Sequence, residues 1–528
     1  MSKFTRCSGK RQGTVSVQNT DESLRKRIRE VGPDKFGLLV VDTGKKHYAV
    51  RLTNFFEDTL WEPDPVGNNR IALEKMMDEV ENKMQENGLT ELMVGIERTG
   101  RWHEPAKHLL EKRWPVRMIH PFTTKQLRQP ASPGIKTDPV DLTAMQRAMI
   151  CGYGTEEAQL PEQWLELRLL SRERSKLVSK RSALKTQAMV QMESLFPGYS
   201  ELFHNFWRNP AAAALIEAYP TAESILAADN DQIVRTLSES GTRCLASTVE
   251  RVRNWANQAS PPDRGKEVNH RILCDYLALI RQLSARIDRC EKDLLQCLVQ
   301  TPAVLLLSIT GLNVPSTSNY GGEMGPHEHY IGPEKVTGRA GLFPSHYQSD
   351  ETNRPNGPLV GGRNSRLRDA IVEVSRNLIT RNPYFHAWRN LPDHKSWSQD
   401  HAEAAVGNHF ARISFAMLRQ NNVFDHPIAG RQDSVLCKLL AFGREKKVPS
   451  DQLYDLAVCA LRQLPQDALP REREALLCGG WDGPRKAPRP QANSRGKQRK
   501  PPEYVNRIIA DIRERITQKK GETVTQSI

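Results

Sequence analysis

Two apolar runs that each stop on a carboxylate do most to limit what this chain can fold into. Phe36-Gly37-Leu38-Leu39-Val40-Val41-Asp42-Thr43-Gly44 holds no charge before Asp42, and such a run reads as a buried strand with Asp42 where it emerges at the sheet edge. After the turn Thr43-Gly44-Lys45-Lys46, His47 to Leu52 reads as a second strand, so Asp42 lies at the mouth of a hairpin. Glu91-Leu92-Met93-Val94-Gly95-Ile96-Glu97 repeats the form. A helix over Asn68 to Asn87, ended by Gly88, precedes it; Thr99-Gly100 then turns the chain into a helix through Leu109-Leu110, and Val116 to His120 gives another strand. In a mainly parallel sheet built this way, the ends carrying Asp42 and Glu97 can lie side by side. An aspartate after a buried strand is ordinarily a turn or cap residue. Its meaning depends on whether further carboxylates arrive at comparable places.

They arrive in Lys136-Thr137-Asp138-Pro139-Val140-Asp141-Leu142, which opens a helix running through Ala144, Ala148 and Met149. Asp138 fits an N-cap, Pro139 the first helical position and Asp141 the third, which resembles a capping box by residue type. Positions three apart also share a helix face, so Asp138 and Asp141 can serve one metal site together. Four clustered carboxylates repel one another unless cations neutralise them, and hard oxygen ligands suit magnesium or manganese. Two such ions clamp the attacking and leaving oxygens of a phosphodiester in nucleases and polymerases.

Composition agrees with a polyanionic partner: the 528 residues carry a formal charge of +14. Aromatic residues are only 6% of the chain, which favours contacts to phosphates over base stacking. The nine cysteines are scattered and form no Cys-x-x-Cys pair, so free thiols in a reducing cytoplasm and no structural zinc are expected. No apolar run approaches the roughly 18 residues of a membrane span, and Met1-Ser2-Lys3-Phe4-Thr5-Arg6 lacks a signal-peptide apolar region.

The chain divides, on pattern, into a basic N-terminal arm (1–34), expected to be mobile with a short helix at its end; an α/β domain (35–155); a basic, helical region (156–300); a mainly helical domain (301–425); and a C-terminal extension (426–528) with a basic, Pro-rich linker from Arg485 to Pro502 and a short helix near Tyr504 to Ile516. From Leu160 to Phe196 a helix repeats Leu170, Leu177 and Leu184 every seven residues. Arg174 and Arg181 interrupt that seam, and Arg172, Lys176, Lys180, Arg181 and Lys185 form a cationic face suited to RNA or DNA phosphates, or simply to solvent. Glu201 to Pro262 reads as small helices and loops. A second long helix, Lys266 to Val299, spaces Leu273, Tyr276, Ile280, Leu283, Ile287, Cys290, Leu294 and Cys297 as a coiled-coil seam; whether the pair is an intramolecular hairpin or a dimer stalk stays open. Leu305 to Ile309 followed by Thr310-Gly311-Leu312-Asn313 resembles a helix-hairpin-helix element gripping a DNA backbone. A polar loop with Ser345 and Ser349 leads to Gly361-Gly362-Arg363-Asn364-Ser365-Arg366-Leu367-Arg368, where Arg363, Arg366 and Arg368 open a helix and suit a phosphate.

The order Val-Asp-Thr-Gly-Lys, Gly-Ile-Glu-Arg-Thr-Gly, Lys-Thr-Asp-Pro-Val-Asp, basic coiled coil, Thr-Gly-Leu-Asn, Ala-Gly-Leu-Phe-Pro, Tyr-Gln-Ser and Arg-Asn-Ser-Arg-Leu-Arg resembles the DEDD transposases of insertion sequences, the IS-one-ten family, over residues 36 to 420. The resemblance implies a RuvC-like domain of ribonuclease-H fold with Asp42, Glu97, Asp138 and Asp141 as magnesium ligands, and a helical transposase domain whose serine, here Ser349, links covalently to DNA. It further implies donor and target DNA, a structured noncoding guide RNA, a site shared between protomers of a tetramer, and a bacterial, nucleoid-associated location. Family members place glycine directly after the serine, whereas Asp350 follows here, and Ser345 is a local competitor. The competing readings are a metal nuclease or junction resolvase without serine chemistry, a non-catalytic nucleic-acid-binding protein, and a sugar kinase or actin-type ATPase, which the basic charge disfavours.

Overall fold

The computed structural model describes residues 3–5, 14–16, 22–128, 134–156, 160–203, 206–241, 246–262, 264–349, 352–354, 357–361, 363–424, 426, 429–431 and 434–477. The Pro-rich linker and terminal helix expected beyond residue 484 lie outside these. The chain forms two compact units, one from residues 1–159 with 344–362, the other from 160–343 with 363–528.

The first unit is a mixed sheet covered by helices. Its strands are β1 (Phe36–Thr43), β2 (His47–Asn54), β3 (Thr59–Trp61), β4 (Val66–Gly67), β5 (Glu91–Glu97) and β6 (Val116–Ile119), in the order β3-β2-β1-β5-β6, with β4 pairing β2 at the edge. β1 runs antiparallel to β2 and parallel to β5, and β5 runs parallel to β6. The expected strands form because β1 and β5 are buried on both faces, as their unbroken apolar runs require. Period-two alternation splits the strand residues between two cores. Leu39, Val41, Val94 and Ile96 face one side, with Leu73, Met76 and Val80 of α2 (Arg70–Glu86) and Ala106 and Leu110 of α3 (His103–Leu110). Leu38, Val40, Met93 and Ile119 face the other, with Leu142, Met145 and Met149 of α5 (Asp138–Ile150). Gly95 lets α5 approach closely: a Cβ there would stand 2.9 Å from Met149 Cγ.

One expectation needs correction here. The end of the N-terminal arm is docked: in α1 (Glu22–Val31), Leu24 and Ile28 are buried in the second core, because a four-residue spacing puts them on one helix face. A further helix, α4 (Pro121–Arg128), lies between β6 and α5.

The second unit holds two cores joined by long helices. α6 (Glu162–Leu195) and α7 (Lys266–Leu298) pack antiparallel within one chain, shown by Arg174 bonding Glu291, Arg181 bonding Ser284 and Gln191 bonding Asn269. At one end Leu167, Leu294 and Leu298 join the larger core, with α8 (Val314–Met324) and α9 (Ser365–Arg381). At the other, Ala188, Met192, Leu273 and Leu277 join the short helices between residues 199 and 258. Leu277 is buried where the heptad reading used Tyr276 and Leu283, which are half-buried. The helix-hairpin-helix expectation meets a 3-10 helix, Pro302–Ser308, in place of its first α-helix, then a turn with Gly311 at φ 100°, then α8 capped by Asn313.

Candidate active site

Side-chain alternation and helix spacing bring the three carboxyl-bearing segments together. Leu38 and Val40 face α5, so Asp42, two residues on, faces it too; Met93 and Gly95 face α5, so Glu97 does likewise. Val41 pairs with Ile96 in the parallel register, which makes Asp42 and Glu97 neighbours across the strand ends, and the Thr43 hydroxyl reaches the Glu97 carbonyl at 3.4 Å. On α5, Asp138 and Asp141 are one turn apart, on the face whose next turns carry buried Leu142, Met145 and Met149. Asp141 is buried and Asp138 exposed.

The capping reading of Asp138 is corrected. Thr137 occupies the N-cap with extended backbone, its side chain makes no cap hydrogen bond, and Asp138 is already helical. With Pro139 supplying no N–H, the helix begins one residue earlier than expected and the Asp138 carboxylate is not spent on capping.

The electrostatics record the crowding. Burial, then Glu97, Asp141 and Asp138, push the Asp42 carboxyl from an ordinary 3.8 to about 6, with Lys136 pulling back. Burial also raises Glu97, opposed by the Thr124 hydroxyl, Lys136 and Arg128, while Asp141 adds to the rise. Hard oxygen donors held against their own repulsion suit a divalent cation in kind. Among the described residues, no three His, Cys, Asp or Glu side chains are grouped as ligands for one ion, and Arg128 forms an ion pair with Asp141.

Sequence reasoning missed the cations that shape this site. Arg51 of β2 is buried, with Nε 2.8 Å from Glu62 and Nη1 donating to the Thr143 hydroxyl at 2.8 Å; Nη2 donates to the Pro139 carbonyl at 3.3 Å. It therefore ties the first turn of α5 to the sheet. An arginine inside an otherwise apolar strand was its only sequence signal.

Residues 39–197 match the family model of the IS110 DEDD transposases. Over that stretch the chain is similar to the DEDD transposases of the IS110 family. No curated protein matches the chain. The matched stretch contains Asp42, Glu97, Asp138 and Asp141 and ends before Ser349.

Ser349 ends β7 (Tyr347–Ser349), which pairs antiparallel with β8 (Thr352–Arg354), Ser349 opposite Thr352. All of β7 is exposed. Ser345 lies lower in the same hairpin, exchanging backbone bonds with Pro358 and Gly357, and a Cβ on Gly357 would stand 2.3 Å from its hydroxyl oxygen.

The cations expected to meet nucleic acid have different surroundings. Arg172 is bidentate to buried Glu323, at 2.6 and 2.9 Å. Burial works to raise Glu323, but Arg172, Arg168 and Arg366 hold it below its ordinary range. Arg181 bonds Ser284, and Lys185 lies 5.2 Å over the Trp207 ring. Lys176 and Lys180 are exposed, Lys176 lying 3.9 Å from Glu173. Arg363 and Arg366 are exposed at the start of α9, and Arg368 donates to the Ala340 carbonyl at 2.8 Å. Among the described residues, no helix is long and apolar enough to cross a membrane.

Proposed function

We propose that this chain is a recombinase that cuts and rejoins DNA for the movement of an insertion sequence. Its sheet unit serves as a RuvC-like, ribonuclease-H-type domain. Asp42, Glu97, Asp138 and Asp141 hold magnesium or manganese there, and Ser349 is the nucleophile. The observation that carries this reading is Asp42, whose carboxyl is raised by burial and then by the three other carboxylates, within a stretch matching the DEDD family. When bound, the metal supplies charge stabilisation for the phosphoryl oxygens and activates the attacking hydroxyl. Thr43 fixes the strand end beside Glu97, and Arg51 fixes the first turn of α5, so the donors are held before substrate arrives.

In the reaction the Ser349 oxygen forms a bond to phosphorus, the phosphodiester P–O bond breaks, and the departing strand end takes up the proton as a hydroxyl. The phosphoserine ester keeps the bond energy, so rejoining needs no ATP. The exposure of Ser349, against the packed hydroxyl of Ser345, supports this choice of nucleophile. Exposed Lys176, Lys180, Arg363 and Arg366 are the phosphate contacts of this reading, with donor DNA, target DNA and a structured guide RNA as the ligands. The site is completed between protomers of a dimer of dimers.

A metal nuclease without serine chemistry remains the second reading, because the family match covers the carboxylates and stops before Ser349. Denaturing gels of labelled DNA separate the two. Under the recombinase reading Ser349→Ala forms no protein–DNA adduct and makes no cut; continued cutting by that variant supports the nuclease instead.

A further inference from the structure

The Arg128–Asp141 ion pair places a permanent cation on one of the four candidate metal ligands. Both partners are largely withdrawn from water, with side chains 13% and 5% exposed, so the contact is not a loose surface pair. Each sits where its helix favours it. Arg128 is the last residue of α4, at the negative end of that helix, and Asp141 is in the first turn of α5, at the positive end. The guanidinium also opposes the rise of Glu97. Arg128 thus already does part of what a bound metal does, by neutralising carboxylates. The bond has a geometric consequence as well. The Asp141 oxygen that accepts from Nη1 is engaged by a donor that cannot deprotonate, and the carboxylate that would close a ligand set with Asp42 and Glu97 is bonded elsewhere.

We propose that Arg128 is an internal counter-cation that competes with the divalent metal for Asp141, so that loading the site requires Arg128 to let go. This rests on the metal reading above. Arg128 is then a positioning residue that sets the metal concentration at which the DEDD site assembles. It keeps four carboxylates compatible in the empty protein, and its release frees a guanidinium beside the site.

The test is Mn2+ affinity of the full-length protein, by calorimetric titration, with no DNA present. Arg128→Gln is expected to bind Mn2+ more tightly than wild type, on the order of tenfold, the gain from losing one competing charged hydrogen bond. In an Asp141→Asn background the same change should gain much less, since there the arginine has no carboxylate to withhold. Arg128→Lys keeps the charge without the planar fork and is expected between the two. A Mn2+ affinity that does not depend on residue 128, in both the Gln and Lys variants, overturns the proposal, as does equal tightening in the Asp141→Asn background. Failure of the metal reading looks different: wild type and Asp42→Asn would bind Mn2+ equally weakly.

Discussion

Replacing Asp42 with Asn should make the metal-free protein more stable while abolishing its chemistry. The Asp42 carboxyl is raised from 3.8 to about 6 by burial and by Glu97, Asp141 and Asp138. The native state therefore binds the proton more tightly than the unfolded chain does. Stability from Asp42 is complete below about 3.8, declines as pH rises towards 6, and is lost above it. The full shift corresponds to roughly 3 kcal/mol. Asp42 is only half-buried, and solvent screening reduces the cost of its charge to about 1–2 kcal/mol at neutral pH. Asparagine keeps the shape without the charge. In chelator at pH 7.5, Asp42→Asn should raise the melting temperature of the transition involving the sheet unit by about 2–8 °C. At pH 4 the difference should nearly vanish, because the carboxyl is then mostly protonated in the native state. Scanning calorimetry of both proteins between pH 4 and 8 reads this directly. A variant no more stable than wild type at pH 7.5, or equally stabilised at pH 4, would refute the crowding argument. Saturating Mg2+ should shrink the difference, since bound metal stabilises wild type alone.

Three further outcomes follow from the geometry. Mixing Ser349→Ala with Asp42→Asn should restore some recombination if each protomer contributes half the site, and no recovery in a DNA-joining assay would count against sharing. Lys176→Gln and Lys180→Gln should each weaken nucleic-acid binding and lower the slope of log affinity against log salt by about 1, with unchanged melting; filter binding across a salt series measures it. Glu323→Gln should cost about 3 kcal/mol, because Arg172 and the largely buried Arg168 lose their carboxylate, and denaturant unfolding reads that loss.

The strands of the sheet were legible because β1 and β5 are buried on both faces and so need uninterrupted apolar runs. The long helices were legible through their seven-residue repeats. Much of what escaped depends on distant partners. Arg174 and Arg181 look like faults in an apolar seam until Glu291 and Ser284 of α7 meet them. The same holds for Arg172, a phosphate contact by composition but the partner of Glu323 in the fold. Between residues 199 and 258 small helices were expected, but not their core, in which Phe196, Tyr199, Phe206 and Trp255 gather rings far apart in the chain. The β7–β8 hairpin is exposed and polar on its first strand, so no alternation marks it. At the carboxylates, the strand ends carrying Asp42 and Glu97 and the helix start carrying Asp138 and Asp141 were legible. Asp138 was read one position too far out, since cap and first turn share residue preferences, and the Arg128 contact spans two helices that no local pattern connects.

The antiparallel pair α6 and α7 has a mechanical consequence. At 1.5 Å per residue it is a beam about 50 Å long, with a hydrophobic core gripping each end. Its waist, around Lys180, Leu184, Leu279 and Leu283, is a groove, while Leu177 and Ile287 on one side and Ala188 and Leu277 on the other are buried. The ionic rung Arg174–Glu291 sets the phase of the two rods, because sliding one past the other would strand a charge. Such a beam transmits tilt rather than stretch. A bend of about 10° at the waist would carry either end some 4 Å, about the rise of one strand residue.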